Sequence, residues 1–92
     1  MYEYLEIDMD TVVFEWDDEK EAKNFKKHGI RFKTAAKVFW DPKKMIREDL
    51  EHTSEKRYDV LGKVRKILFV VCTIREQNTI RIISARLATS AE

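Results

Sequence analysis

Residues 52–58 combine the side-chain types that cleavage of RNA requires. An imidazole, a carboxylate, two cations and a phenol occur together in the segment His52-Thr53-Ser54-Glu55-Lys56-Arg57-Tyr58. Attack by a 2′-hydroxyl on the adjacent phosphate needs a base for the 2′ proton, a cation for the charge that develops on the phosphoryl oxygens, and an acid for the 5′ leaving oxygen. The segment contains all three, although an ordinary polar loop between two strands has the same composition.

Two apolar segments near the C-terminus, 67–75 and 79–85, predict neighbouring strands. Residues 76–78 form a short turn between them, which favours an antiparallel hairpin. If this turn is a three-residue loop, Thr73 faces Arg81 across the two strands. A change of one residue in the loop length would reverse the pairing.

Arginines inside these apolar strands have two interpretations. Alternation of side chains predicts that Arg81 shares a face with Ile83 and Ala85, while Arg86 lies on the opposite face. Arg75 shares the face of Thr73 and, in the same register, lies beside Arg81. The guanidinium groups either form cross-strand salt bridges or hold a phosphate, whose oxygens match the planar fork of an arginine.

Charge is unevenly distributed along this chain of single-domain length. The 92 residues are 43% hydrophobic and 38% charged, with a net charge of +1, so the overall balance indicates no particular partner. The first twenty residues carry eight acidic side chains against one lysine, Lys20, and the chain is basic from there onward. This asymmetry is compatible with a face that binds a polyanion, or with charges that merely solvate the surface.

Several classes of protein are excluded by the composition. The single cysteine, Cys72, cannot form an internal disulfide, and its apolar surroundings predict a buried thiol. No spacing of Cys and His is typical of a metal site, and no Gly-rich phosphate loop is present, so we expect no cofactor. The acidic N-terminus is unlike a signal peptide, and the longest apolar run, 67–72, is too short to cross a membrane. The expected location is the cytoplasm.

The N-terminal half predicts one strand and two helices. Residues 11–16 are β-branched and aromatic, as in a strand, and Asp17 then caps a helix that runs to His28 and ends at Gly29. A second helix opens at Arg31 or Thr34 and stops at Asp41-Pro42. Its apolar residues have the spacing of one buried helical face: Phe32, Ala35, Ala36 and Phe39.

The remaining segments predict strands, weakly at 45–50 and more clearly at 57–63. The element order is therefore β-α-α-β-β-β-β, an α+β fold with two helices packed on one face of a mainly antiparallel sheet. The other face has no element left to cover it. Phe69, Val71 and Ile83 would form an apolar patch there, of the kind that marks an interface.

An ordered set of short motifs resembles the BrnT family of bacterial toxin ribonucleases. The similarity runs from Phe14 to about Ala88, and the set is specific because its pieces occur together and in order. They are Phe14-Glu15-Trp16-Asp17, Lys20, Asn24, Lys27-His28-Gly29-Ile30, Phe32, Ala35-Ala36, Val38-Phe39, Asp41-Pro42, Asp49, His52, Glu55, Arg57-Tyr58, Gly62, Leu68-Phe69-Val70-Val71, Thr73, Arg75 and Ile80-Arg81-Ile82-Ile83-Ser84-Ala85-Arg86. An acidic extension, residues 1–10, precedes the single BrnT-like domain expected at 11–92.

The resemblance implies a RelE-like fold and the toxin of a type II toxin–antitoxin system, a metal-independent endoribonuclease that cleaves cellular RNA and inhibits growth. It also implies a small BrnA-like antitoxin with a ribbon-helix-helix domain, through which alone the complex would contact DNA. The candidate catalytic residues are His52, Glu55, Arg57, Tyr58, Arg81 and Arg86, and the candidate RNA-binding residues are Lys27, His28 and Arg75. Glu55 or His52 is the expected base, and Arg57, Arg81 and Arg86 are the expected cations.

Two other interpretations remain open at this point. The chain could be a catalytically weak relative that binds the antitoxin and contributes to repression of their operon, since a cationic face also suits an acidic partner segment. A small structural domain with no role in nucleic-acid chemistry is disfavoured by the ordered motifs.

Overall fold

The first helix begins and ends at the residues that its sequence predicts. In the computed structural model, which describes residues 7–50, 55–76 and 78–92, α1 spans Asp18–His28. The Asp17 side chain accepts hydrogen bonds from the backbone N–H groups of Lys20 (3.0 Å) and Glu19 (2.9 Å), and these bonds lower the pKa of Asp17. Gly29 adopts a left-handed conformation (φ 72°) and closes the helix.

The second helix is shorter than expected and changes its winding. α2 spans Phe32–Ala35 and continues directly as a 3₁₀ helix, Ala36–Trp40. Because Arg31 provides no side-chain cap, Glu21 of α1 caps this helix instead, accepting a hydrogen bond from the Phe32 backbone N–H at 2.9 Å. The predicted apolar stripe is buried. We attribute the change from α-helical to 3₁₀ winding at Ala36 to the close approach of the sheet to this helix.

Gly62 is where the 3₁₀ helix meets the sheet. A Cβ atom at this position would lie 2.6 Å from the Cβ of Val38 and 2.9 Å from its carbonyl oxygen. Only a residue without a side chain therefore permits the two backbones to approach this closely.

Five strands form one mixed sheet: β1 (Val13–Glu15), β2 (Met45–Asp49), β3 (Arg57–Val64), β4 (Lys66–Arg75) and β5 (Thr79–Leu87). Their spatial order is β1-β5-β4-β3-β2, with β1 parallel to β5 and every other pair antiparallel. The predicted α+β architecture, its element order and its mainly antiparallel sheet are confirmed. The RelE-like designation stays a prediction.

One face of the sheet packs against the helices, and the core lies between them. Val60, Val70, Cys72 and Ile80 are at most 1% exposed on this face, and burial raises the pKa of the Cys72 thiol to about 12. On the opposite face, called the open face here, no helix of the described residues packs. Its side chains include Arg47, Arg57, Asp59, Leu61, Phe69, Val71, Thr73, Arg75, Arg81, Ser84 and Arg86.

A β-bulge in β5 interrupts the predicted alternation of side chains between the two faces of the sheet. Val71 pairs with Ser84 but Cys72 pairs with Ile82, so Ile83 is an extra residue on β5. Beyond this point the faces are exchanged: Ala85 is buried in the core, whereas Arg86 lies on the open face with Arg81. The predictions that Ala85 shares the face of Arg81, and that Arg86 does not, are therefore wrong.

The segment before β1 contacts the β4–β5 turn. The Asn78 side chain accepts a hydrogen bond from the Asp8 backbone N–H (3.2 Å) and donates to the Asp8 carbonyl and the Thr11 hydroxyl. Ile7 and Met9 pack against the core. The domain boundary after residue 10 remains a prediction. No helix within the described ranges is long and apolar enough to span a membrane.

Candidate active site

Three strands bring the predicted arginines to one end of the open face. Glu15 of β1 pairs with Arg81 of β5, and Arg81 pairs in turn with Thr73 of β4. This confirms the pairing that the three-residue loop predicts. Arg57 starts β3 one residue beyond the pair of Tyr58 and Cys72, which brings it next to Thr73 on the open face. We call Arg57, Arg75 and Arg81, together with Glu15 and Glu55, the arginine cluster.

Two carboxylates connect the arginines of the cluster. Arg81 Nη1 donates to Glu15 Oε2 at 2.8 Å, and Arg75 Nη2 donates to Glu55 Oε1 at 3.1 Å. Arg75 Nε also lies 3.9 Å from Glu15 Oε2. These four side chains are 33–47% exposed. Ion pairs this exposed stabilise a fold by only about 0–1 kcal/mol, so an anionic ligand can exchange with either carboxylate.

Tyr58 and Arg86, two predicted catalytic residues that the structure describes, lie outside the cluster. Tyr58 lies on the helix side of β3, where it is 7% exposed and part of the core. Period-two alternation separates it from Arg57, although the two are adjacent in sequence. His52 lies outside the described residues. Lys56 is directed to β2, where its Nζ is 3.7 Å from Glu48 Oε1.

Arg86 occupies the opposite end of the open face. Its guanidinium lies 4.2 Å from the centre of the Phe69 ring and donates two hydrogen bonds to the Glu92 carboxylate, at 2.8 and 2.7 Å. We call these three residues the Arg86 clamp. The hydrogen bonds from Arg86 lower the pKa of Glu92 to about 2 and raise that of Arg86. Arg81 and Arg86 are five residues apart on β5, or about 15 Å along the strand.

The predicted RNA-binding residues of α1 adjoin Arg86 rather than the cluster. Lys27 and His28 line a groove between α1 and β5, together with Lys20, Lys23, Asn24, Ile83, Ser84, Ala85 and Arg86. The Asn24 side chain pairs with the Ala85 backbone at this edge, donating to its carbonyl (2.8 Å) and accepting from its N–H (3.2 Å). Arg75, the third predicted RNA-binding residue, belongs to the arginine cluster.

Asp59 separates the two ends of the open face. Arg47 Nε donates to Asp59 Oδ2 at 3.3 Å, yet burial raises the pKa of Asp59 above its ordinary value. A shallow pocket beside it is lined by Met45, Arg47, Leu61, Phe69, Ala91 and Glu92. Within the described residues, no group of three His, Cys, Asp or Glu side chains is placed to hold a metal ion.

Glu15, Thr73 and Asp59 are not among the site residues that the sequence predicts. Glu15 was counted with the acidic N-terminal segment, because nothing local indicates that β1 pairs with β5, 66 residues further along the chain. Thr73 was predicted to face Arg81 and belongs to the motifs that resemble the family, but no chemical role was assigned to it. The three-residue loop, which pairs Thr73 with Arg81, is the sequence feature that indicates its place in the site.

Comparisons with known proteins identify both the fold and the family. The family model described as the ribonuclease toxin BrnT of type II toxin–antitoxin systems matches residues 16–92. The crystal structure of the Brucella abortus ribonuclease toxin BrnT has the same fold, with a TM-score of 0.67 and 22% sequence identity over 87% of this chain and 100% of that one. No curated protein sequence matches the chain. Since the family model covers most of the sequence and includes the arginine cluster from Glu55 onward, the chain belongs to the BrnT family of ribonuclease toxins of type II toxin–antitoxin systems.

Proposed function

We propose that this toxin is a metal-independent endoribonuclease that cleaves cellular RNA at the arginine cluster. The observation that carries the proposal is the convergence of Arg57, Arg75 and Arg81 from three strands onto one accessible end of the open face. Cations held by a rigid sheet are already oriented when negative charge develops on a phosphoryl group. The interpretation as a catalytically weak binding module is not favoured by membership of a ribonuclease family.

The proposed reaction is attack of the 2′-hydroxyl on the adjacent phosphate. Glu55 or His52 accepts the 2′ proton, and Arg57 and Arg81 stabilise the charge that develops on the non-bridging oxygens. The 2′ oxygen forms a bond to phosphorus while the bond to the 5′ oxygen breaks, and the leaving 5′ oxygen takes up a proton from water. The products are a 2′,3′-cyclic phosphate and a 5′-hydroxyl. Tyr58 is given no step, since its ring belongs to the core.

Phosphates that flank the cleaved bond are proposed to bind along the groove between α1 and β5. Lys27 and His28 lie there with Arg86, which is about 15 Å along β5 from Arg81 and so too far from it to bind the same phosphate. Arg86 would then hold a neighbouring phosphate rather than the reacting one. Arg75 supports Glu55 at 3.1 Å, which suits a residue that orients the base.

A matched pair of oligonucleotides tests the reaction. Cleavage of an RNA oligonucleotide should persist in EDTA and leave a 2′,3′-cyclic or 3′-phosphate end. The same sequence with a single 2′-deoxynucleotide at the cleaved position should resist, because it lacks the nucleophile. Loss of activity in EDTA with recovery in magnesium, or cleavage of the deoxy-substituted strand, would contradict the proposal.

The partner is proposed to be a small BrnA-like antitoxin that carries a ribbon-helix-helix domain. Membership of a type II system supports a protein antitoxin, and the partly exposed Leu61, Phe69 and Val71 offer it an apolar surface on the open face. Cellular RNA as the substrate places the proposed activity in the cytoplasm.

Light scattering on the purified chain tests the partner proposal. We expect self-association of the isolated chain and a defined complex after the product of the neighbouring reading frame is added. A monodisperse monomer that does not bind the neighbouring product would contradict it.

A further inference from the structure

Thr73 carries a buried hydroxyl that has no hydrogen-bond partner. The residue is 2% exposed, and its Oγ1 is the only buried side-chain nitrogen or oxygen without a partner in the described part of the chain. Burial removes the bonds that this oxygen would make to water, and nothing replaces them. Buried polar atoms are nearly always paired in native proteins, so an orphan requires a specific explanation.

The position does not itself demand a hydroxyl. Valine has the same branched shape, suits a β-strand equally well and would bury no polar atom. Thr73 nevertheless lies on the open face, directly across from Arg81 and two residues before Arg75 on β4. Its other neighbour across the sheet is Arg57, at the start of β3. The unpaired hydroxyl therefore belongs to a residue flanked by three arginines, two of which are bound to Glu15 and Glu55.

We propose that the Thr73 hydroxyl donates a hydrogen bond to a non-bridging oxygen of the scissile phosphate and completes the phosphate site beneath the arginine cluster. The inference rests on the proposed function and adds a residue to it. In the free protein the Glu15 carboxylate accepts the hydrogen bond of Arg81 at 2.8 Å. An incoming phosphate takes over this bond, draws the half-exposed Arg81 and Glu15 side chains apart and reaches the hydroxyl between them.

An oxyanion fits this site better than a neutral ligand. Arg57, Arg75 and Arg81 offer only donors, and the Thr73 hydroxyl is free to act as one more. A tetrahedral phosphate presents several acceptor oxygens, so it can accept from two arginines and from the hydroxyl at the same time. A carboxylate has only two oxygens, and Glu15 already uses one of them on Arg81.

Thr73→Val and Thr73→Ser separate this role from a structural one. Thr73→Val should lower kcat/KM for RNA cleavage by about 10- to 100-fold, as expected for a lost bond to a charged acceptor. The thermal midpoint of this variant should be unchanged or higher, because the buried hydroxyl without a partner is removed. Thr73→Ser keeps the donor and should retain cleavage within a few-fold. A Thr73→Val protein that cleaves RNA at the parent rate overturns the proposal, as does one that loses only affinity for the antitoxin.

Inorganic phosphate serves as a probe that does not depend on catalysis. Phosphate should raise the thermal midpoint of the parent protein above that in chloride of equal ionic strength, and Thr73→Val should remove this increment. Equal increments in the two proteins would refute the phosphate site. If the parent protein cleaves no RNA but shows the increment and loses it in Thr73→Val, the reaction is refuted and the phosphate site stands.

Discussion

The two ends of the open face use the same pair of chemical groups in opposite ways. In the Arg86 clamp, one guanidinium makes two hydrogen bonds to Glu92 and stacks on Phe69. In the arginine cluster, Arg81 makes one bond to Glu15, and Arg75 divides its contacts between Glu15 and Glu55. A bidentate, stacked arginine has fixed geometry and exchanges its carboxylate for a phosphate less readily than a singly bonded arginine does.

Sequence separation accounts for part of this difference. Arg86 and Glu92 are six residues apart, so their pairing orders only a short segment. The pairs of the cluster join residues 66 and 20 positions apart, and they form only because the sheet is already folded. The cluster is thus a product of the whole sheet. The unpaired hydroxyl of Thr73 lies beside the arginine cluster and not beside the Arg86 clamp.

The largest expected effect is that of Arg81→Ala. It should reduce RNA cleavage by about 100- to 1,000-fold, the typical cost of one preorganised group that stabilises a transition state. The free energy of unfolding should change by only about 0–1 kcal/mol, because the ion pair with Glu15 is solvent-exposed. Initial rates on a fluorescent RNA oligonucleotide and chemical denaturation measure the two quantities.

Lys63→Ala is the matched control, since Lys63 lies on β3, towards the other end of the sheet, and its removal changes the net charge equally. Cleavage within about threefold of the parent is expected for it. An Arg81→Ala protein that unfolds would show that the arginine is structural. A folded variant with parental activity would remove the distinction between the two ends.

Arg86→Ala should have a smaller effect, and on a different kinetic parameter. A contact to a flanking phosphate contributes equally to substrate and transition state, so KM should rise by up to about tenfold while kcat stays near the parent value. Steady-state kinetics on an oligonucleotide that extends past the cleaved bond measures both. A loss in kcat as large as that of Arg81→Ala would make Arg86 part of the reacting centre.

The smallest effect concerns the pH dependence of the clamp. The pKa of Glu92 is lowered from 4.5 to about 2, so its pairing with Arg86 stabilises the fold above pH 4.5 and is lost as the pH falls towards 2. An NMR titration of the Glu92 carboxyl carbon should give a midpoint near 2 in the parent and a clearly higher one in Arg86→Ala, where the Thr89 backbone N–H still lowers the pKa. Equal midpoints in both proteins would mean that the clamp does not form in solution.

Local signals in the sequence predicted the elements well. Asp17 and Gly29 mark the two ends of α1, and the apolar stripe of the second helix identifies its buried face. The three-residue turn after Arg75 sets the register that brings Thr73 opposite Arg81. Each of these features depends on neighbours within a few residues, so capping, periodicity and loop geometry were sufficient to predict it.

The sequence alone indicated the family, the α+β class and the residue types of the proposed phosphate site, and it predicted the register of Thr73 and Arg81 only on the condition of a three-residue loop. Only the tertiary structure decided which of those residues meet. The bulge at Ile83 exchanges the faces of β5, the alternation along β3 buries Tyr58 beside a partly exposed Arg57, and the parallel pairing of β1 brings Glu15 to Arg81. These outcomes depend on contacts between segments that are distant in the sequence. The free energy of such contacts cannot be deduced from a local pattern of residues.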